Sequence, residues 1–377
     1  MTSTVVEEKL HYDIVGSFLR PEKLKQARKD YTAEKITKEQ LRNIEDTAIR
    51  DLVAKEKENG LRIVTDGEFR RSWWHLDTFW GFSGIEHVTS KQGYSFHDEE
   101  TRAESARVIG KIKFSADHPD VAAYKFLHDL TANDEDITAR QSIPAPAQFY
   151  AELVRGEENV AALREVYPDD TELIVDIGNA YRGLYLALYD AGCRDIKIDD
   201  CTWGMVVDNK FWATMANGEF DRETLQKLYL AVNNASLVDL PEDLRISTHV
   251  CRGNYHSTWA TSGGYAPVAD YLFAKEKVQA FYLEFDDNRS GDFAPLAAVP
   301  DNKKIVLGLV TSKKPELEET QSLIARVKEA TQYVPLENLE LSTQCGFAST
   351  EEGNKLTEEQ QWAKIRLVVE TAKKIWG

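Results

Sequence analysis

Arg245-Ile246-Ser247-Thr248-His249-Val250-Cys251-Arg252-Gly253 is the stretch from which the fold is read. Ile246, Thr248 and Val250 are β-branched, which suits a pleated strand, and Gly253 marks a point where the strand has ended. Residues i and i+2 of a strand share a face, so the side chains of His249 and Cys251 can reach one ion. Two later strand-like runs end in further ligands: Ala280–Phe285 carries Glu284, and Leu339–Thr343 is followed by Cys345. One imidazole, two thiols and one carboxylate suit zinc, with the carboxylate the member most easily displaced. A single His or Cys at such a place is more often a core residue. Four of them at equivalent strand ends favour a metal.

Working outward, eight strand candidates alternate with helical patterns: Tyr12–Gly16, Leu61–Asp66, Ala139–Ile143, Asp195–Asp199, Arg245–Val250, Ala280–Phe285, Lys304–Val310 and Leu339–Thr343. Several are short apolar runs of the kind buried on both faces of a parallel sheet. Helices are expected at Lys38–Asn59, closed by Gly60, at Glu316–Thr331 after Pro315, and at Thr357–Trp376. This order predicts an α/β fold, a (β/α)8 TIM barrel, with residues 1–377 forming one catalytic domain. An insertion from residue 67 to about 138, after the second strand, holds an aromatic run and a hairpin around Arg107–Phe114 and reads as a lid or side wall over the barrel mouth. Barrel active sites sit at the C-terminal strand ends. Glu68, Asp199, His249, Cys251, Glu284 and Cys345 all fall there.

Charge and composition narrow the partners. A formal net charge of −17 argues against nucleic acid and anionic membranes, which demand basic patches. No apolar run approaches the ~20 residues of a membrane helix. The opening residues 1–9 lack a basic stretch followed by an apolar core, so no secretory signal is expected and a cytoplasmic location is the default. Four scattered cysteines do not make a disulfide framework, which leaves metal binding or packing to explain them. Small-molecule substrates are expected, and a homo-oligomer is compatible with the composition.

Ile14-Val15-Gly16-Ser17-Phe18, Asp66-Gly67-Glu68-Phe69-Arg70-Arg71, Ile198-Asp199-Asp200, His249-Val250-Cys251, Glu284 and Cys345-Gly346 follow one another as in the catalytic C-terminal barrel of cobalamin-independent methionine synthases. The chain resembles the short, single-barrel members of that family over nearly its whole length. The resemblance implies a methyltransferase similar to 5-methyltetrahydropteroyltriglutamate–homocysteine S-methyltransferase. His249, Cys251, Glu284 and Cys345 would then bind zinc (Zn2+), and Glu284 would yield to the homocysteine thiol. Gly16 and Ser17 would meet the amino-acid carboxylate through backbone N–H groups, and Glu68 and Asp199 would hold the ammonium. Arg107 aligns with a segment that contacts folate.

The chain departs from the family at the methyl donor. A nitrogen losing a methyl group must be protonated. The long members place a His in the loop after the seventh strand, whereas Thr311 aligns there in this chain. The tryptophan that stacks on the pterin also lacks a counterpart after Pro144-Ala145-Pro146. Two donors therefore stay open, a methyltetrahydrofolate-type carrier and a methylcorrinoid such as methylcobalamin. A third reading is a barrel with a structural zinc and no activity. The run Trp73-Trp74-His75-Leu76-Asp77-Thr78-Phe79-Trp80 either packs as a hydrophobic cover or stacks on a flat donor, with His75 as an acid. His256, Trp259 and Asp270 belong to the region after the zinc pair, Cys201 is a neighbour of the site, and Cys193 reads as core.

Overall fold

The computed structural model describes residues 10–97, 99–211 and 221–377. The opening residues 1–9, from which the absence of a secretory signal was expected, lie outside them.

Ten strands are described: β1 Ile63–Val64, β2 Ser83–Thr89, β3 Glu104–Lys113, β4 Thr138–Ala139, β5 Gln141–Pro144, β6 Asp195–Asp200, β7 Arg245–Val250, β8 Ala280–Glu284, β9 Lys304–Val310 and β10 Leu339–Thr343. The fold is mixed α/β around a six-stranded parallel sheet in the order β10-β9-β8-β7-β6-β5. Every residue of β5, β8 and β10 is buried, as strands covered on both faces must be. Helices lie between the strands, and the main apolar core of the described residues draws on side chains from Tyr12 to Ala372, with a small second cluster of Ala280, Tyr282 and Val306.

The first two expected strands and the third differ from a regular ladder. Tyr12 makes a single parallel bridge to Leu341 of β10, and β1 pairs with β4 alone. The reason lies in side chains that take the backbone partners a strand would have used. The Thr65 hydroxyl donates to the Gly16 carbonyl at 2.6 Å, and the Lys197 ammonium donates to the Ile14 carbonyl at 2.9 Å. The expected Ala139–Ile143 run is split into β4 and β5 around Arg140, whose guanidinium turns to Asp13 and Asp195, both at 2.7 Å.

The helices expected from capping signals are found at Lys38–Glu58 and Glu358–Trp376, each opened by a capping box, on Thr37 and Thr357. The third begins later than expected, at Thr320. Glu318 accepts from the Thr311 amide at 2.8 Å and from Lys364, which holds the residues after Pro315 out of the helix.

In the insertion, β2 and β3 form an antiparallel hairpin. Glu152 accepts from the Ser105 hydroxyl at 2.5 Å, and the Ile112 amide donates to the Tyr167 hydroxyl at 2.7 Å, which docks the hairpin on helices Pro146–Leu153 and Glu157–Val166. Between its strands, the His97 amide donates to the Trp259 carbonyl at 2.8 Å and Glu99 meets His256 and Lys355. No helix among the described residues is long and apolar enough to cross a membrane.

Candidate metal centre

β7 delivers His249 and, one residue past its end, Cys251; the turn after β10 delivers Cys345. One ligand atom from each lies within 4.8 Å of the other two, and all three side chains are buried. The Sγ atoms of Cys251 and Cys345 are 3.9 Å apart. Two sulfurs bound tetrahedrally at ~2.3 Å would be separated by about 3.8 Å, so the spacing suits zinc.

Glu284 closes β8 with its side chain wholly buried, Oε1 lying 4.0 Å from His249 Nε2. That oxygen accepts from the Arg252 amide at 2.8 Å, whereas Oε2 has no hydrogen-bond partner among the described residues. A buried carboxylate oxygen without a donor is costly unless a cation meets it. The donor set therefore fits a zinc ion in chemistry and in spacing.

Asp199 fixes the imidazole. Its Oδ1 lies 2.5 Å from His249 Nδ1, so Nε2 is the nitrogen that faces Glu284. Carboxylate partners of this kind orient metal-binding histidines. His249 Nε2 also lies 3.0 Å from the Gln344 carbonyl, and a ring that donates at both nitrogens is an imidazolium. Burial opposes that charge most strongly, but Asp199, Cys345 and Glu284 together offset it and raise the His249 pKa to about 9. The thiols are shifted in the same direction. Cys251, beside Cys201, and Cys345, beside Cys251, are held well above the usual thiol range by their sulfur neighbours and by burial. Metal binding here must release protons.

The remaining expected site residues fall into two groups. Gly16 has φ +122°, and a side chain there would press on Thr65 and Ser142. Ser17 packs so tightly on Gly346 that a Cβ at 346 would sit 1.9 Å from the serine oxygen. Gly346 thus joins the Gly16–Ser17 turn to Cys345. Glu68 is buried with φ +61°, and burial raises its pKa to about 7 against the pull of Arg71 and Arg20. The neighbouring cations bond elsewhere: Arg70 to Glu45 and Asp46, Arg71 to Asp120, and Lys197 to Ile14. Glu68 Oε2 has no partner among the described residues.

Other expectations lead away from the cluster. Arg107 is on β3 and bonds to Asn159 and Glu158. His75 is buried against Tyr94 at 2.9 Å, and burial holds its pKa well below the usual histidine range. Trp73, Leu76 and Phe79 of the aromatic run are core residues. His256 pairs with Glu99, Trp259 lies under Arg289, and Asp270 is exposed on helix Ala269–Lys275. Cys193 is core, as expected. Thr311 is bound through its amide to Glu318, and its hydroxyl accepts from the Lys313 amide. Reading the sequence missed Gln344, whose carbonyl meets His249. Its signal was position alone, just past the end of β10.

Residues 136–374 match the family model of the cobalamin-independent synthase catalytic domain. The chain is 44% identical over 365 residues to the uncharacterized protein YxjH of Bacillus subtilis, covering 97% of this chain and 94% of that protein. It is 23% identical over 341 residues to the methionine synthase of Pyrococcus horikoshii, covering 89% and 85%. Among solved structures, one from Listeria monocytogenes, provisionally described as a vitamin-B12-independent methionine synthase, superposes with a TM-score of 0.77 at 37% identity, covering 98% of each chain. With its catalytic-domain model matched across β4 to the last helix, where all four expected ligands lie, this chain belongs to the cobalamin-independent synthase family.

Proposed function

We propose that this protein is a zinc-dependent methyltransferase that moves a methyl group from a methyltetrahydrofolate-type carrier to the thiol of homocysteine, giving methionine. The observation that carries this reading is the convergence of His249, Cys251 and Cys345 within 4.8 Å beside the half-satisfied carboxylate of Glu284. These four would hold the ion, Glu284 being the one an incoming thiol can replace. Zinc, when bound, lowers the pKa of a thiol that joins it and so makes a nucleophile near neutral pH.

The chain's own residues would do the rest. Gly16 and Ser17 offer backbone donors to the amino-acid carboxylate, and the unpaired Glu68 carboxylate takes the ammonium. Asp199 holds the His249 ring and supplies further negative charge on the Glu68 side. Residues 1–377 act as one catalytic domain. We extend the six-stranded sheet to an eight-stranded (β/α)8 closure through the Tyr12–Leu341 bridge, the β1–β4 pair and the bond from the Phe18 amide to the Gly67 carbonyl at 3.2 Å. The hairpin insertion, reaching Trp259 and His256, serves as the side wall of the donor pocket.

The family's cobalamin-independent description gives the methylcorrinoid alternative no support. Incubating purified, zinc-loaded protein with homocysteine and methyltetrahydrofolate should yield methionine, and chelation should stop it. A zinc-replete protein that makes no methionine from this donor would instead favour a structural zinc.

A further inference from the structure

Arg252 follows Cys251 directly, and its side chain breaks a rule that the other buried arginines keep. Arg20 donates to the Ala348 and Glu68 carbonyls at 2.6 and 2.7 Å, Arg71 to Asp120 at 2.9 Å, and Arg140 to Asp13 and Asp195 at 2.7 Å each. Arg252 is 1% exposed, yet Nε and both terminal nitrogens are buried without a hydrogen bond among the described residues. A buried guanidinium in that state costs free energy unless an anion reaches it.

The surroundings of Arg252 point to one anion. Its guanidinium carbon lies 4.6 Å from the centroid of the Tyr265 ring. The hydroxyl of that tyrosine accepts from the Glu284 amide at 3.0 Å and donates to the Glu284 carbonyl at 3.3 Å. Both charges are felt at the hydroxyl: burial raises its pKa to about 12, Arg252 draws it down and Glu284 pushes it up. The Arg252 amide meanwhile donates to Glu284 Oε1 at 2.8 Å, and Oε2 lacks a partner among the described residues. Two buried groups of opposite charge, each incomplete, therefore flank one tyrosine and are already joined through a backbone bond.

We propose that Arg252 is a positioning residue for ligand exchange, receiving the Glu284 carboxylate as an ion pair when the substrate thiol takes its place. This rests on the methyltransferase reading above, which requires Glu284 to give way. The displaced carboxylate stays wholly buried, and a charge set free at that depth needs a counter-charge. Pivoting on the bond from the Arg252 amide, it keeps Oε1 in place and turns Oε2 toward the guanidinium. A planar guanidinium takes a carboxylate through two parallel bonds, which the ammonium of Lys313, the other buried cation without a partner, cannot do. No covalent bond changes in this step: Glu284 moves as an anion, and the thiol proton leaves to water.

The test uses the full-length zinc-loaded protein and homocysteine, with binding read by calorimetry and the metal shell by X-ray absorption. Arg252→Met should retain zinc and bind homocysteine about 10–100-fold more weakly. It should keep oxygen in the shell at a homocysteine concentration that removes oxygen from the parent's. In turnover the loss should fall on KM for homocysteine and not on kcat. Arg252→Lys keeps a cation and should lose less, and Arg252→Gln serves in place of Arg252→Met if the latter does not fold. The decisive comparison is made in a Glu284→Gln protein, which has no charge to release. There Arg252→Met should weaken homocysteine binding no further, whereas a merely structural role would make the two losses add. Additive losses would overturn the assignment alone, as would an Arg252→Met protein that binds homocysteine like the parent, the result if Glu284 leaves as a neutral acid. An unsubstituted protein whose shell does not respond to homocysteine would overturn the function on which it rests, and the assignment with it.

Discussion

Two buried ionic regions of this molecule are built on opposite rules. In the first, within the sheet around β5 to β8, each charge faces an opposite one, although Arg140 Nε is left without a hydrogen bond among the described residues: Arg140 bonds to Asp13 and Asp195 at 2.7 Å each, Arg245 reaches Asp195 at 3.4 Å, and the Tyr282 hydroxyl donates to Asp13 at 2.5 Å. In the second, at the C-terminal strand ends, Glu284 Oε2, Glu68 Oε2 and Lys313 Nζ are buried without partners among the described residues. A network of paired charges serves the fold, whereas charged groups left without a counter-charge at equal burial are candidates for binding something else.

The largest effect that would break this contrast concerns the sulfurs. Cys345→Ser or Cys251→Ser should abolish zinc retention and methionine formation together; activity without metal would remove the distinction. Next comes the paired network. Arg140→Met strips the buried Asp13 carboxylate of its cation, leaves Asp195 only Arg245, and should cost about 3–5 kcal/mol of stability in denaturant unfolding. The zinc content of the folded protein should not change. A variant as stable as the parent would mean that the network does not serve the fold.

Asp199→Asn stands between the regions in effect. Loss of the carboxylate that orients His249 should weaken zinc binding about 10–100-fold, read by competition with a chromophoric chelator. An unchanged affinity would remove Asp199 from the site.

The smallest effect sharpens the account through pH. Burial raises the Glu68 pKa from 4.5 to about 7, so between these values the folded protein binds more protons than the unfolded chain. This contribution to stability is complete below pH 4.5 and is lost as pH rises through about 7. Glu68→Gln should flatten that slope. It should also raise KM for homocysteine about tenfold or more, since a charge-assisted bond contributes about 1.5–3 kcal/mol. The parent's KM should fall as pH rises through about 7, when the carboxylate ionises, and the variant's should not.

The sequence was most legible where burial on both faces imposes continuous apolar runs. Arg245–Val250, Lys304–Val310 and Leu339–Thr343 are found with the bounds expected. Strand parity then placed His249 and Cys251 together, and a thiol after β10 met them. Legibility failed where side chains replace backbone partners. Tyr12–Gly16 reads as a strand, yet Thr65 and Lys197 occupy its carbonyls. Glu316–Thr331 reads as one helix, yet Glu318 is drawn to Thr311 and Lys364. Turns were the other gap. Nothing in Thr311-Ser312-Lys313 says which side chain turns inward, because the bonds that orient it come from Gln344, Gly346 and Asn354. Arg107 was assigned by alignment and is engaged elsewhere, with Glu158 and Asn159.

Zinc-edge X-ray absorption of the purified protein, with and without homocysteine, tests the central claim most directly. The account predicts a shell of two sulfurs, one nitrogen and one oxygen that exchanges its oxygen for a third sulfur when the thiol is added. A shell that does not change, or a protein that holds no zinc, would contradict it.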